Sequence, residues 1–350
     1  MFVLRPITPP SQPMPAVSVI VPMYNVEKYI AETLDSILNQ TFQDFEVIVV
    51  NDCSTDNSRA IAESYLERFG GRMTLLDNEK NSGPSPSRNN GLRRAKGEYV
   101  FFMDADDLLL PNSLEEMYKF AAEYNVDFIN CTANYQMSED GKESILKRYA
   151  LKIVPTIIIE ENMERRIEIL LRQKPSWAPW RRFLRREFLI ENELFFLENI
   201  RLSEDRIWTY GLYLCAKKFL QLPKPYVSHR MSQNSLTRTK KPPLRKAMDC
   251  FTALICGIKW IDNVMRKLEY FKQNPEIRFI VLESVVSMFS NFAFKYSVKL
   301  KSHDIYEAIK QEFTESLGDN DVLIAQLITY TDTQRKRIVE LEDQLKTINN

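Results

Sequence analysis

From Ala16 onward, short apolar runs alternate with amphipathic stretches. Val17-Ser18-Val19-Ile20-Val21, bounded by Pro22, predicts a strand. Ile30, Leu34, Ile37 and Leu38 recur at i, i+4, i+7 and i+8, the stripe of a helix. Phe45 to Val50 predicts a second strand. Ile61, Tyr65, Leu66 and Phe69 predict a second helix, stopped by Gly70-Gly71. A third strand is expected over Met73 to Leu76, and a short helix containing Leu92 to Ala95 is ended by Gly97. Tyr99-Val100-Phe101-Phe102-Met103 is apolar throughout, as a strand covered on both faces must be. Leu114, Met117, Tyr118 and Ala121 mark another helix, and Asp127-Phe128-Ile129 opens a fifth strand. Strand and helix in alternation predict an α/β fold with a mostly parallel, doubly wound sheet. Such sheets bind ligands beyond the carboxyl ends of their strands. The polar turns there are Pro22 to Asn25, Asn51 to Asp56, Asp77 to Asn90 and Asp104 to Asp107.

Past Thr132 the alternation weakens into helices and loops with aromatic insertions. A Pro- and Lys-rich stretch around Thr239 to Pro243 reads as a linker, and residues 244–350 read as helical. Near the end, Ile324, Leu327, Ile338, Leu341, Leu345 and Ile348 follow a 3-4 spacing broken by Thr331 and Gln334, a faint heptad pattern. Either a helix packed on its own domain or homo-oligomer formation through a coiled coil fits it. The first fifteen residues hold five prolines and read as a flexible leader.

Composition narrows the function. Lys plus Arg and Asp plus Glu both total 47, so the formal net charge is zero. That argues against nucleic acid as partner, which is gripped by bulk positive charge. The five cysteines are scattered without a Cys-x-x-Cys, as in a reduced cytoplasmic protein. The prolines of the leader break any apolar core of a secretory signal. The longest apolar stretch, Phe279 to Phe294, is interrupted by Glu283, Ser284, Ser287, Ser290 and Asn291 and is too short and polar to span a bilayer. Only nine glycines occur, in neither a dinucleotide fingerprint nor a P-loop arrangement, so a phosphorylated ligand would need another neutraliser.

Asp104-Ala105-Asp106-Asp107 supplies one, at the end of the most hydrophobic strand. Carboxylates at that depth repel each other and lose hydration unless a cation or donors compensate. Mn²⁺ or Mg²⁺ accepts carboxylate and diphosphate oxygens together. The plainer reading is that these acids cap the helix following Pro111.

These residues complete a pattern. The chain resembles the family-2 glycosyltransferases, inverting enzymes with the GT-A fold. The matching segments are Val19-Ile20-Val21-Pro22-Met23-Tyr24-Asn25, Gln40-Thr41-Phe42, Glu46 to Asp52, Ser54-Thr55-Asp56, Asn81-Ser82-Gly83, Ser87-Arg88-Asn89-Asn90-Gly91, Gly97-Glu98-Tyr99 and Asp104 to Asp107. They run in order over residues 17–107, with looser matches to about residue 237. The resemblance implies a GT-A domain over 16–238, with a nucleotide-sugar half at 16–131 and an acceptor half at 132–238, followed by the helical domain at 244–350. It implies that Pro22, Tyr24 and Asn25 contact the nucleotide and that Asp52 reads the base, where a carboxylate could accept from uracil N3–H. It places Asp104 near the ribose, Gly83, Arg88, Asn89 and Ala105 around the donor, and Asp106 on the metal. Cys53 stands where relatives usually carry Gly, and Pro84 and Pro86 stiffen a loop usually built of small residues.

Inverting transfer also needs a base for the acceptor hydroxyl. Leu202-Ser203-Glu204-Asp205-Arg206-Ile207-Trp208 resembles the family's Glu-Asp motif, which implies Asp205 as base and Glu204 as its orienting partner or an acceptor contact. An acidic helix start behind a Ser203 cap is the alternative. Pro225 to Arg230 resembles the family's strand closing the donor site, where His229 could join the metal and Arg230 could meet the diphosphate, or His229 could sit at a strand edge without a ligand. Trp177, Trp180, Phe183, Leu184, Phe188 and Leu189 interleave with Arg181, Arg182, Arg185 and Arg186. The segment reads as core on one face and solvated charge on the other, or as peripheral contact with an anionic membrane. A metal-dependent inverting glycosyltransferase acting on a UDP-sugar and a glycan or lipid-linked acceptor, in surface polysaccharide synthesis, is the expected function. A sugar-nucleotide nucleotidylyltransferase would need a Gly-rich basic first loop, which Pro22-Met23-Tyr24-Asn25 is not. A non-catalytic scaffold would have no use for the full set of acids.

Overall fold

The computed structural model describes residues 14–137, 143–146, 162–173, 175–200, 202–231 and 242–297. In chain order its elements are β1 (Val17–Met23), α1 (Ile30–Leu38), β2 (Phe45–Asn51), α2 (Ser58–Ser64), β3 (Met73–Asp77), α3 (Pro84–Arg94), β4 (Tyr99–Phe102), β5 (Leu108–Leu109), α4 (Ser113–Tyr124), β6 (Phe128–Met137) and β7 (Glu143–Leu146). They continue with α5 (Met163–Glu168), a π-helical turn (Ile169–Gln173), a 3-10 turn (Pro179–Arg181), β8 (Arg182–Arg185), α6 (Arg186–Glu191), α7 (Glu204–Cys215), β9 (Phe219–Arg230), α8 (Pro243–Lys267), α9 (Glu269–Gln273) and α10 (Pro275–Ser297). The described residues form two compact units. One draws on Met1–Glu161, Ala178–Phe195 and Ala216–Met231, the other on Asn162–Trp177, Phe196–Cys215 and Ser232–Asn350.

The first unit holds the sheet, whose order among the described residues is β3-β2-β1-β4-β8-β6-β9-β5, with β7 on β6. β1 lies parallel between β2 and β4, and β3 lies parallel to β2. β8 is antiparallel to both β4 and β6, and β6 is parallel to β9. The mostly parallel α/β sheet expected from the alternation is therefore present. The chain reverses its winding between β1 and β4, and the crevice beyond their carboxyl ends is where such a sheet accepts ligands. Every residue of β4 is buried, as its unbroken apolar run demands. Gly97 admits β4 beside β1: a Cβ there would lie 2.5 Å from the Ser18 nitrogen.

Three local outcomes depart from the sequence pattern. The short helix expected near Leu92 starts at Pro84, with Pro84 at its first position after Gly83 at φ +92°. Pro84 and Pro86 thus stiffen a helical turn and not a loop, because proline's fixed φ suits that position. β8 arises inside the arginine-rich segment. Phe183, Leu184, Phe188 and Leu189 are core as expected, but Arg181 and Arg182 are buried with them. Arg182 Nη1 donates to the Ala178 carbonyl, and Arg181 pairs with the Asn134 amide oxygen. Arg185 pairs with Glu98 and lies over the Tyr99 ring, and Arg186 Nε donates to the Gly97 carbonyl. Internal tertiary bonds, not solvent, absorb these charges.

In the second unit α8 packs against α7 and α10. Gly257 permits this closeness, since a Cβ there would meet Ile207 Cδ1 at 2.8 Å. Buried Arg166 donates from Nε to the Tyr213 carbonyl at 3.2 Å, and Phe196 stacks on Trp208 with centroids 4.2 Å apart. Among the described residues no helix is long and apolar enough to cross a membrane. The heptad positions from Ile324 to Ile348, most of the leader and the stretch 232–241 lie outside the described residues.

Candidate functional site

Four turns lie at the carboxyl edge of the sheet, three of them carrying acids, and each is tied to the next. After β1, Asn25 has φ +50° and accepts at Oδ1 from Thr55 N at 2.8 Å, while its own N–H donates to Ser54 Oγ at 3.1 Å. Asn and Asp tolerate the left-handed region better than most side chains. These bonds fasten the first turn to the second and leave the Tyr24 ring 45% exposed beside Pro22. After β2, Asp52 N donates to the Met23 carbonyl at 2.8 Å. The Asp52 carboxylate is buried and accepts from Gly83 N at 2.7 Å, Asn78 Nδ2 at 2.8 Å and Ser82 N at 3.0 Å. Asn78 Nδ2 also reaches Ser87 Oγ at 2.9 Å, joining the cradle to α3. Cys53, in the position expected to be glycine, adopts φ +60°, and its thiol donates to the Asn78 carbonyl at 3.1 Å.

The fourth turn holds the densest charge. Asp104 Oδ1 accepts from Arg88 Nη2 at 3.0 Å, so α3 delivers a buried guanidinium to the first acid, with Asn89 buried beside it. Ala105 is packed into the core. Asp106 is pushed up to about 7, first by burial and then by the charges of Asp107 and Asp104, against the opposing effect of His229. Asp107 is fully buried and accepts from His229 Nδ1 at 3.0 Å and from Arg230 N at 2.9 Å. Burial raises the Asp107 carboxyl, and the His229 hydrogen bond works against that rise. Burial alone would lower His229, but the Asp107 bond and the charges of Asp107, Asp104 and Asp106 outweigh it and raise the imidazole. His229 is held flat against Trp180, the ring centroids 5.0 Å apart. Arg230 Nε donates to the Asp106 carbonyl at 2.9 Å and Nη2 to Glu32 at 2.6 Å.

Sequence reasoning overlooked three supports. Asp107 carries the His229 and Arg230 bonds although only its neighbours received roles. Thr33 Oγ1 lies 2.9 Å from the Ala105 carbonyl and 2.8 Å from the Asp107 carbonyl, which pins the acid turn to α1. A hydroxyl within the otherwise apolar stripe of Ile30, Leu34 and Ile37 was its only signal. Gln40 donates from Nε2 to the Leu110 carbonyl at 2.7 Å and accepts at Oε1 from Leu114 N at 3.1 Å, so the Gln-Thr-Phe segment braces the chain beyond the acids.

Asp52, Arg88, Asn89, Asp104, Asp106, His229 and Arg230 are all brought to this edge of the first unit, and Glu204 and Asp205 lie in the second. They occupy the first turn of α7, behind Ser203 at φ +63°. Asp205 Oδ1 accepts from Arg206 N at 2.8 Å, and the Asp205 carbonyl accepts from Thr209 Oγ1 at 2.7 Å. The Trp177 ring lies parallel to Tyr210 at 6.1 Å, with the Arg206 guanidinium 5.5 Å from its centroid, so this turn is braced by its own unit.

A cluster of carboxylates costs energy through mutual repulsion and lost hydration unless a cation compensates. The elevated Asp106 carboxyl is the mark of that deficit, and its oxygen donors suit a hard divalent ion. No preformed group of three or more His, Cys, Asp or Glu ligands occurs among the described residues. The fit therefore rests on charge and donor chemistry.

Residues 18–191 match the family described as Glycosyl transferase family 2. The chain is 33% identical over 236 residues to the uncharacterized glycosyltransferase EpsJ of Bacillus subtilis, covering 67% of this chain and 66% of EpsJ, just under two thirds of that relative's length. It is 30% identical to the glycosyltransferase GlyG of Streptococcus pneumoniae, covering 64% of this chain and 73% of GlyG. The crystal structure of Staphylococcus aureus TarS 1-349 superposes with a TM-score of 0.64 at 24% identity, covering 94% of this chain and 91% of that one, which shows the shared GT-A fold. Other structures of the same TarS fragment are complexes with UDP and with UDP-GlcNAc. By its sheet order, its acid-bearing turns and these matches, the chain belongs to glycosyl transferase family 2.

Proposed function

We propose that the protein is an inverting, metal-dependent glycosyltransferase that moves a sugar from a UDP-sugar to a hydroxyl of a glycan or lipid-linked acceptor in surface polysaccharide synthesis. The observation that carries the reading is the acid turn, in which Asp107 is buried and Asp106 is raised to about 7 beside it and Asp104. A cation beside Asp106 would relieve the burial and the neighbouring negative charge that raise its carboxyl. Asp106 and His229 would hold Mn²⁺ or Mg²⁺, which would neutralise charge on the departing diphosphate. The UDP and UDP-GlcNAc complexes of TarS, a structure of the same fold, support the choice of donor.

In this reading Asp52 binds the base, Asp104 is oriented towards the ribose by Arg88, and Pro22, Tyr24 and Asn25 wall the nucleotide. Arg230, already bonded to Glu32 and to the Asp106 carbonyl, has guanidinium donors left for the diphosphate. Asp205 takes the proton of the acceptor hydroxyl as the oxygen bonds to the sugar C1. The C1–O bond to the diphosphate breaks with its electron pair on the leaving group, and configuration inverts. Glu204 orients the acceptor or the base.

Screening UDP-sugars for Mn²⁺-dependent hydrolysis, followed by transfer assays with Asp205→Asn, tests the reading. The variant should bind UDP as the wild type does and lose transfer. Full turnover by Asp205→Asn would remove it as base, and UDP affinity indifferent to Mn²⁺ would remove the metal.

A further inference from the structure

Arg230 closes β9 with a side chain only 4% exposed, and its ion-pair partner among the described residues is Glu32, whose side chain is 57% exposed. Nη2 donates to Glu32 at 2.6 Å, Nε donates to the Asp106 carbonyl at 2.9 Å, and the guanidinium lies 4.8 Å from the centre of the Tyr29 ring. The two halves of this pair sit in unlike surroundings. A buried cation left without an anion is costly. A carboxylate already more than half in water gives up little by turning fully into it.

The frame around the pair is fastened, and the Glu32 side chain is the part with room to move. Arg230 N donates to the buried Asp107 carboxylate at 2.9 Å, which fixes the strand beneath the guanidinium. Thr33, next to Glu32 on α1, meets the Ala105 and Asp107 carbonyls within 2.9 Å. The pair therefore opens on one side: Glu32 swings out about its own side-chain bonds, and a positive charge stays behind. Of a guanidinium's five N–H groups, those at Nε and Nη2 are the ones engaged among the described residues. Nη1 and Nη2 together offer a two-pronged end that suits phosphate. A phosphate arriving there meets the Glu32 carboxylate on the same nitrogen, like charge against like.

We propose that Glu32 is the resident counter-anion of Arg230 and that the donor's diphosphate displaces it. This rests on the nucleotide-sugar reading above, in which Arg230 meets the diphosphate. As the donor enters, the guanidinium passes from carboxylate to phosphate and Glu32 turns to water. As the nucleoside diphosphate product leaves, Glu32 returns. The buried cation stays paired in both states. The cost of displacing Glu32 also weakens the hold on a product that must depart before the next turnover. Glu32 acts through Arg230 and touches neither the sugar nor the reacting atoms.

Calorimetric titration of the full chain with UDP in Mn²⁺ tests this across wild type, Glu32→Gln, Arg230→Gln and the double variant. The amide of Glu32→Gln keeps an acceptor for Nη2 but carries no charge. UDP is expected to bind Glu32→Gln about fivefold more tightly, the scale of a half-exposed ion pair. Arg230→Gln is expected to weaken UDP, and in that background Glu32→Gln should change affinity by less than about twofold. Weaker or unchanged UDP binding by Glu32→Gln would overturn the proposal, because the carboxylate would then be a brace or a bystander. Equal tightening with and without Arg230 would also overturn it, as the signature of general negative charge at this edge. A wild type that binds no UDP would instead remove the nucleotide-sugar reading, and this inference with it. Arg230→Gln binding UDP as tightly as wild type would remove the diphosphate contact on which the exchange depends.

Discussion

Asp52→Asn separates what the Asp52 cradle does for the fold from what it does for the ligand. The carboxylate accepts from Gly83 N at 2.7 Å, Asn78 Nδ2 at 2.8 Å and Ser82 N at 3.0 Å in a buried setting. An asparagine of the same shape keeps one acceptor oxygen and turns an NH₂ towards N–H donors on the other side. Charge-assisted bonds become neutral, and at least one buried N–H loses its acceptor. Each such loss is worth about 1–3 kcal/mol, so the turn from Asn78 to Gly83 should open about 3 kcal/mol more easily. At about 1.4 kcal/mol per decade, that is roughly a hundredfold loss of protection. Hydrogen exchange followed at the Ser82 and Gly83 amides reads this turn directly, without requiring the two units to unfold together. Strands β1 and β4 should keep their protection. Ser82 and Gly83 amides exchanging at the wild-type rate would refute the claim that Asp52 holds this turn.

Three other perturbations probe the surrounding frame. Thr33→Val keeps the shape but removes the hydroxyl near the Ala105 and Asp107 carbonyls; since one hydroxyl has a single proton, the cost should be about 1–2 kcal/mol by urea unfolding, with weaker UDP binding in Mn²⁺, and an unchanged midpoint would deny the tie. Asp106 rises from its ordinary 3.8 to about 7 on folding, so the native state holds the proton more tightly and metal-free stability should fall as pH rises from about 4 to about 7, by roughly 4 kcal/mol in all. Asp106→Asn should flatten that slope, and parallel curves for wild type and variant between pH 5 and 8 would reject the assignment. Gly97→Ala would set a Cβ 2.5 Å from the Ser18 nitrogen and 2.7 Å from the Val17 carbonyl carbon. Backbone in the central strand cannot retreat cheaply, so a loss of about 3 kcal/mol or more is expected, and a soluble variant of wild-type melting temperature would contradict the close approach.

Local pattern by itself determined much of this protein. Period-2 and period-3.6 hydrophobicity are properties of neighbouring residues, so β1 to β4, β6 and most of the helices between them were legible, and so was the parallel sheet that their alternation imposes; the two-residue β5 was not, and α2 closes at Ser64, short of the Tyr65, Leu66 and Phe69 that the stripe assigned to it. The acid turns could be found because loops between such elements must fall at the sheet edge, and their motifs carried the family. Only the tertiary structure decided what depends on residues distant in sequence. β8 was hidden because Arg181 and Arg182 look solvated until Ala178 and Asn134 supply buried partners. The Asp107–His229 pair joins residues 122 positions apart, and Thr33 meets the acid turn across more than seventy. Burial, which raises Asp106, is likewise made by the whole fold. A one-dimensional pattern fixes which residue types can face a core, but desolvation and long-range hydrogen bonds exist only once the chain has closed around them.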